Sequence, residues 1–188
     1  MPERGAPTTY IALLKGINVG GNKMVPMAEL RELVAGIGLS EPQTLLQSGN
    51  LVFRSRTRPA AQLERLLGDE IEKRLAVRSE IFVRTAAEWG AIVAGNPFGD
   101  EAKRDPGHLL VFLLKDSVKP KSVEALRAAI TGREVVRAAG THAYVVYPDG
   151  IGRSKLTHAL FEKVLATQAT GRNWNTVLKL AALAGLDV

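Results

Sequence analysis

The chain contains no cysteine, and that absence removes disulfides, thiolate-held zinc and cysteine nucleophiles together. Histidine is nearly as scarce. His108, His142 and His158 fall in different predicted elements, with no carboxylate cluster beside them at ligand spacing. Such a set implies no metal and no cofactor. No apolar run approaches the ~20 residues that cross a bilayer, so no membrane partner is expected. The opening MPERGAPTTY lacks the apolar core of a signal peptide, which leaves residues 1–8 as a flexible tail of a cytoplasmic protein.

What is present is globular: 188 residues, 46% hydrophobic and 23% charged. An excess of 25 Lys and Arg over 19 Asp and Glu gives +6, which favours anionic partners. YIALLKGI reads as a buried strand closed by a glycine-rich loop, NVGGNKMV. A helix follows from Pro26 to about Ile37, its apolar residues at helical spacing. TLLQSGNLVFRS reads as two strands, with Gly49-Asn50 in the left-handed positions of the hairpin turn. A helix from about Pro59 to Leu75 and the strand SEIFVRT complete the set. The order strand, helix, strand, strand, helix, strand is the split βαβ, or ferredoxin-like, arrangement.

The order then recurs. HLLVFLLK, KSVEALRAAI, the hairpin GREVVRAAG with HAYVVYP, and SKLTHALFEKVL repeat it as far as the second helix. NWNTVLKLAALAGL reads as a final helix where a strand would complete the second set. The expected class is α+β: two ferredoxin-like halves, 9–86 and 107–188, joined by a connector at 87–106, with an additional C-terminal helix. One continuous mixed sheet is the competing arrangement.

LLKGINVGGNKMVPMAEL, QSGNLVF, NPF, GIGRSKLT and RNWNTVLKL together resemble the bacterial family known as domain of unknown function 1697. The resemblance covers about Tyr10 to Leu183. It implies an α/β protein of ferredoxin-like character and supplies no activity, cofactor or catalytic residue.

No complete catalytic signature occurs in the residues themselves. Gly16 to Gly21 has the spacing of a phosphate-binding loop, but Asn22 intrudes before Lys23 and Met24 replaces the required hydroxyl. What survives is an anion-accepting loop of Lys15, Gly16, Asn18, Gly20, Gly21, Asn22 and Lys23, against the plainer reading of a flexible connection. Ser48 lacks a base and an orienter, so QSGN is a turn from which Gln47, Ser48 and Asn50 can lend polar groups to a ligand. Ser154 reads as a helix N-cap, and Arg153 and Lys155 beside it suit an anion. Asn173 reads as a second cap, Trp174 as a core anchor, and Arg172 and Asn175 as donors without another local use.

The expectation is that loop 16–23, the QSGN turn, GRSK and RNWN form one anion site. Three functions compete. The chain binds the phosphates of a nucleotide or nucleic acid, acts on a phosphorylated or carboxylated metabolite, or serves as a protein-interaction module. An RNA-recognition sheet would need exposed aromatics on its central strands, whereas those strands are mostly aliphatic.

Overall fold

The computed structural model describes residues 6–21 and 23–188. The expectations for Asn22 and for tail residues 1–5 lie outside them; the first strand already begins at Thr8. The chain divides into two compact units, 1–91 with 179–188, and 92–178.

In the first unit β1 (Thr8–Leu14), α1 (Met27–Gly36), β2 (Ser40–Leu45), β3 (Asn50–Ser55), α2 (Ala60–Leu75) and β4 (Ile81–Thr85) follow one another. The sheet is antiparallel, in the order β2-β3-β1-β4. In the second unit β5 (Leu109–Leu114), α5 (Pro120–Ala129), β6 (Val135–Ala139), β7 (His142–Val146), α6 (His158–Leu165) and β8 (Ala169–Asn173) repeat the pattern, in the order β6-β7-β5-β8. Both are ferredoxin-like sheets. YIALL and LLVFLL are central strands, as the apolar runs require. The reading of the second half is corrected in one respect: it has its fourth strand, β8, and α7 (Trp174–Leu183) follows that strand rather than replacing it. The region read as a connector holds α3 (Ala86–Ala94) and α4 (Gly99–Arg104). Thr85 and Glu88 cap α3 reciprocally, each side chain accepting from the other's backbone N–H at 2.7 and 3.1 Å.

Side chains alternate across a strand, so each sheet has two faces to bury. In the first unit Tyr10, Ala12, Leu14, Leu51, Phe53 and Val83 meet Leu30, Leu63, Leu67 and Ile71 from α1 and α2. Ile11, Leu13, Val52 and Phe82, on the opposite face, are buried as well. Beside that face, Leu183, Ala184 and Gly185 share a hollow of about 260 Å³ with Val52 and Arg54. In the second unit Phe112 stacks on Phe161, ring centroids 4.5 Å apart, and Gly171 lies opposite Phe112 in the register. A Cβ on Gly171 would sit 2.7 Å from that ring, which is why the strand carries glycine there. On the other face the Tyr144 hydroxyl donates to the Ile92 carbonyl at 2.7 Å, and burial pushes its pKa up to about 12.

Tyr10, Phe53 and Phe112 are 0%, 0% and 1% exposed. Among the described residues neither sheet exposes an aromatic platform for bases, which closes the RNA-recognition route of stacking on the sheet. The Tyr10 hydroxyl instead clamps the segment ahead of α2, donating to the Arg58 carbonyl at 3.0 Å and accepting from the Arg58 N–H at 2.9 Å. Replacing Tyr10 by Phe orphans both groups and is expected to lower stability by about 1–3 kcal/mol in urea unfolding. An unchanged midpoint would show that water satisfies them.

Candidate functional site

The first two predicted segments meet at one end of the first sheet. Asn18 joins them: its Nδ2 donates to the Val25 carbonyl at 3.0 Å and to the Gln47 carbonyl at 2.6 Å, and its Oδ1 accepts from the Val25 N–H at 2.7 Å. Three bonds from one amide close the glycine-rich loop on itself and tie it to the hairpin. Gly16, Asn18, Gly20, Gly21 and Lys23 all have positive φ, between 49° and 79°. Within the loop the Asn18 N–H donates to the Lys23 carbonyl at 3.1 Å. A Cβ built on Gly16, Gly20 or Gly21 meets nothing within 4 Å, so the loop borders open space. Lys15 is half-buried at its root and Lys23 is exposed.

The hairpin differs from its reading. Gly49 is left-handed, at φ 78°, but the other left-handed residue is Leu46, at 59°, and Asn50 is the first residue of β3. Asn50 is fully buried, and its amide donates to the Leu45 carbonyl at 2.8 Å and to Ser48 Oγ at 2.9 Å. It shapes the turn rather than facing a ligand. Gly49 is buried against the loop, where a Cβ would lie 2.8 Å from Ile17 and from Leu14.

The second repeat supplies an internal control. Leu14 N–H bonds to the Gly49 carbonyl and Lys15 N–H to the Glu80 carbonyl; Leu114 and Lys115 make the matching bonds to Thr141 and Gln168. From these equivalent points the first unit takes twelve residues, 15–26, to reach its helix, whereas the second takes five, 115–119. Its hairpin is also longer, 46–49 against 140–141. The extra chain exposes apolar side chains that folding alone would hide: Val19 is 64% exposed, Met24 62% and Leu46 55%. The sequence reading passed over all three. Aligning LLK at 13–15 with LLK at 113–115 would have revealed the insertion.

The other predicted segments belong to the second unit. GRSK does not start a helix. Residues Ile151–Arg153 form a 3-10 turn, and α6 begins at His158, capped by Thr157, whose hydroxyl accepts from the Leu160 N–H. Ser154 is held elsewhere, donating to the Glu134 carboxylate and accepting from the Leu156 N–H at 2.9 Å. Arg153 and Lys155 are exposed, five and three residues ahead of α6. Asn173 does cap α7, accepting from the Thr176 N–H at 3.0 Å; Trp174 is buried, 6% exposed, and Asn175 is exposed.

Arg172 has the structural explanation that the sequence did not show. Its Nη1 donates to Thr170 Oγ1 at 3.0 Å and to the Gly171 carbonyl at 2.8 Å, and burial lowers its pKa to about 10. Arg84 is its counterpart. It lies opposite Ile11 as Arg172 lies opposite Val111, and its Nη1 donates to the preceding carbonyl, also at 2.8 Å. Burial lowers its pKa too, against the opposing pull of Glu64 and Glu88. The guanidinium of RNWN is therefore a feature of the repeat.

Two other candidates are weaker. A cleft of about 290 Å³ in the second unit holds Arg104, His108 and Arg133, but each faces an acid: Glu101 at 3.8 Å, Asp105 at 2.7 Å and Asp149 at 3.1 Å. Among the described residues no group of three His, Cys, Asp or Glu could hold a metal, and no helix is long and apolar enough to cross a membrane.

Comparison with known proteins gives kinship without chemistry. Residues 8–144 match the model of a family described as a protein of unknown function, DUF1697. The conserved bacterial protein SP0830 from Streptococcus pneumoniae is similar in structure, with 23% identity, a TM-score of 0.72, and coverage of 95% of this chain and 99% of that one. At that identity the likeness concerns the fold. No curated protein matches.

Asn18→Ala would remove all three ties of the loop. It is expected to lower stability by about 1–2 kcal/mol and to speed tryptic cleavage after Lys23, with the sheet intact by circular dichroism. Unchanged cleavage would mean that packing of Ile17 and Val25 holds the loop without the amide.

Proposed function

We propose, for a chain that belongs to the DUF1697 family of unknown function, that the loop and hairpin at the end of the first sheet bind phosphate groups of a nucleotide or nucleic acid. The observation that carries this reading is the insertion itself. Twelve residues stand where the sister repeat uses five, and of the described ones Gly16, Asn18, Gly20, Gly21 and Lys23 are left-handed, with Lys15 at the start of the segment. The N–H groups of a glycine-rich loop, together with an ammonium group, are complementary to a phosphate oxygen. The positive charge of the chain supports approach of such a ligand.

Of the sixteen residues expected to contact an anion, this reading keeps Lys15, Gly16, Gly20, Gly21, Lys23, Gln47 and Ser48; both amide protons and the backbone N–H of Asn18 are spent within the loop and hairpin. Asn22 lies outside the described residues, and Asn50 is spent inside the turn. Arg153, Ser154, Lys155, Arg172, Asn173 and Asn175 are not needed for it.

Titration calorimetry with pyrophosphate, nucleotides and short oligonucleotides tests the reading. Lys23→Ala should weaken the responding ligand about tenfold, the scale of one charge-assisted hydrogen bond of ~1.5 kcal/mol. A log–log salt slope near −0.7 to −0.9 per phosphate would mark a nucleic-acid strand, and a shallow slope a small molecule. Absence of binding by all three classes at millimolar concentration would end the reading.

A further inference from the structure

Beside the inserted loop lies an open cleft of about 680 Å³. One wall is Lys23 and Met24 of the loop. The other is the C-terminal end of α2 and the residues after it: Glu72, Leu75, Val77 and Arg78. Its volume falls within the ~300–1,000 Å³ of small-molecule sites.

The walls differ in polarity, and the difference orients a ligand. α2 runs for sixteen residues and ends at Ala76, in a left-handed cap at φ 53°. A helix C-terminus presents carbonyl oxygens and the negative end of the macrodipole, which suits hydrogen-bond donors, while Lys73 and Arg74 in the last turn and Arg78 after it are cations. The Glu72 carboxylate is a further acceptor, although Arg78 holds one of its oxygens at 2.5 Å. Of the two cations lining the cleft Arg78 is paired with Glu72, so a phosphate is directed to Lys23 and the left-handed backbone. Groups that donate hydrogen bonds, such as a ribose hydroxyl or an exocyclic amine, suit the helix side. The apolar lining is Met24 on the loop wall and Leu75 and Val77 on the helix wall. Met24 is 62% exposed at a place where nothing in the fold requires an apolar side chain. A thioether against a flat heteroaromatic ring is a favourable contact.

We infer that this cleft is a nucleoside-phosphate site, with the base between Met24 and the Leu75–Val77 wall and the phosphates on the Lys23 loop. The inference rests on the phosphate-binding reading of the loop and adds the class of ligand to it. It differs from stacking on a sheet, because the base packs on aliphatic and thioether groups at a loop–helix junction.

The test uses the full chain with four probes: pyrophosphate, ribose 5-phosphate, adenosine diphosphate and a short single-stranded oligonucleotide. Adenosine diphosphate is expected to bind about tenfold tighter than pyrophosphate, as one apolar ring contact allows. It should also shift the Met24 methyl proton resonance upfield by ring current, an effect that the two probes without a base should not produce. Met24→Ala should cost the nucleotide about two- to tenfold and leave pyrophosphate unchanged, whereas Lys23→Ala should weaken both. Met24 is exposed, so its replacement leaves the fold intact.

Equal binding of pyrophosphate and adenosine diphosphate, both weakened by Lys23→Ala, would overturn the base cleft and leave the loop reading standing. Binding of the oligonucleotide without the nucleotide would also overturn it, in favour of a strand held by its phosphates. No binding by any probe would overturn both readings at once.

Discussion

Burial of both faces of a fully paired central strand is the constraint on which each unit depends. β1 pairs with β3 and β4, and β5 with β7 and β8, so their backbone groups are satisfied within the sheet. Their side chains are buried on both faces, from Tyr10 to Leu14 and from Leu109 to Leu114. Aliphatic residues suit both faces because neither meets water. The cost falls on recognition, since a sheet covered on both sides offers nothing to a ligand. In this fold chemistry moves to the strand ends, and the longest connection between a central strand and a helix leaves the end of β1.

That connection is expensive for a structure that does not need it. Lengthening a loop from five residues to twelve costs about 0.8 kcal/mol in closure entropy. Holding Asn18, Lys23 and Leu46 left-handed adds about 1 kcal/mol or more each. The bonds of Asn18 offset part of this. Exposed Val19, Met24 and Leu46 return nothing in hydrophobic stabilisation while they face water. The sister repeat, with the same strands and helices, closes the same gap with residues 115–119 and a backbone bond from Val118 to Gly140. The fold tolerates the longer loop without requiring it, and this is the physical argument for reading it as functional.

The paired arginines lead the other way. Arg84 and Arg172 occupy equivalent positions in the last strands of the two sheets, each half or fully buried and bonded to its own strand. A donor that recurs by repeat, on a face the sheet buries, is explained by architecture. A donor carried by one repeat alone, on a loop that faces solvent, is not. The same comparison separates Asn173, which caps a helix, from Lys23, which has no structural duty of that kind.

The sequence by itself determined the order of elements in the first unit, the central place of YIALL and LLVFLL, the limits of α2 within a residue, the cap at Asn173 and the burial of Trp174. Each is set by periodicity or propensity within a turn or two of chain, so local pattern suffices to read it. Only the tertiary structure decided where the polar side chains are used. Ser154 does not cap a helix because folding brings the Glu134 carboxylate to its hydroxyl. Arg172 turns onto its strand, Asn50 turns inward, and Asn18 reaches Gln47 across 29 positions of sequence. A hydrogen bond is directional and short-ranged, and its partner is whichever group long-range packing places within ~3 Å. Composition carries no record of that encounter, which is why the candidate residues could be named in advance and their company could not.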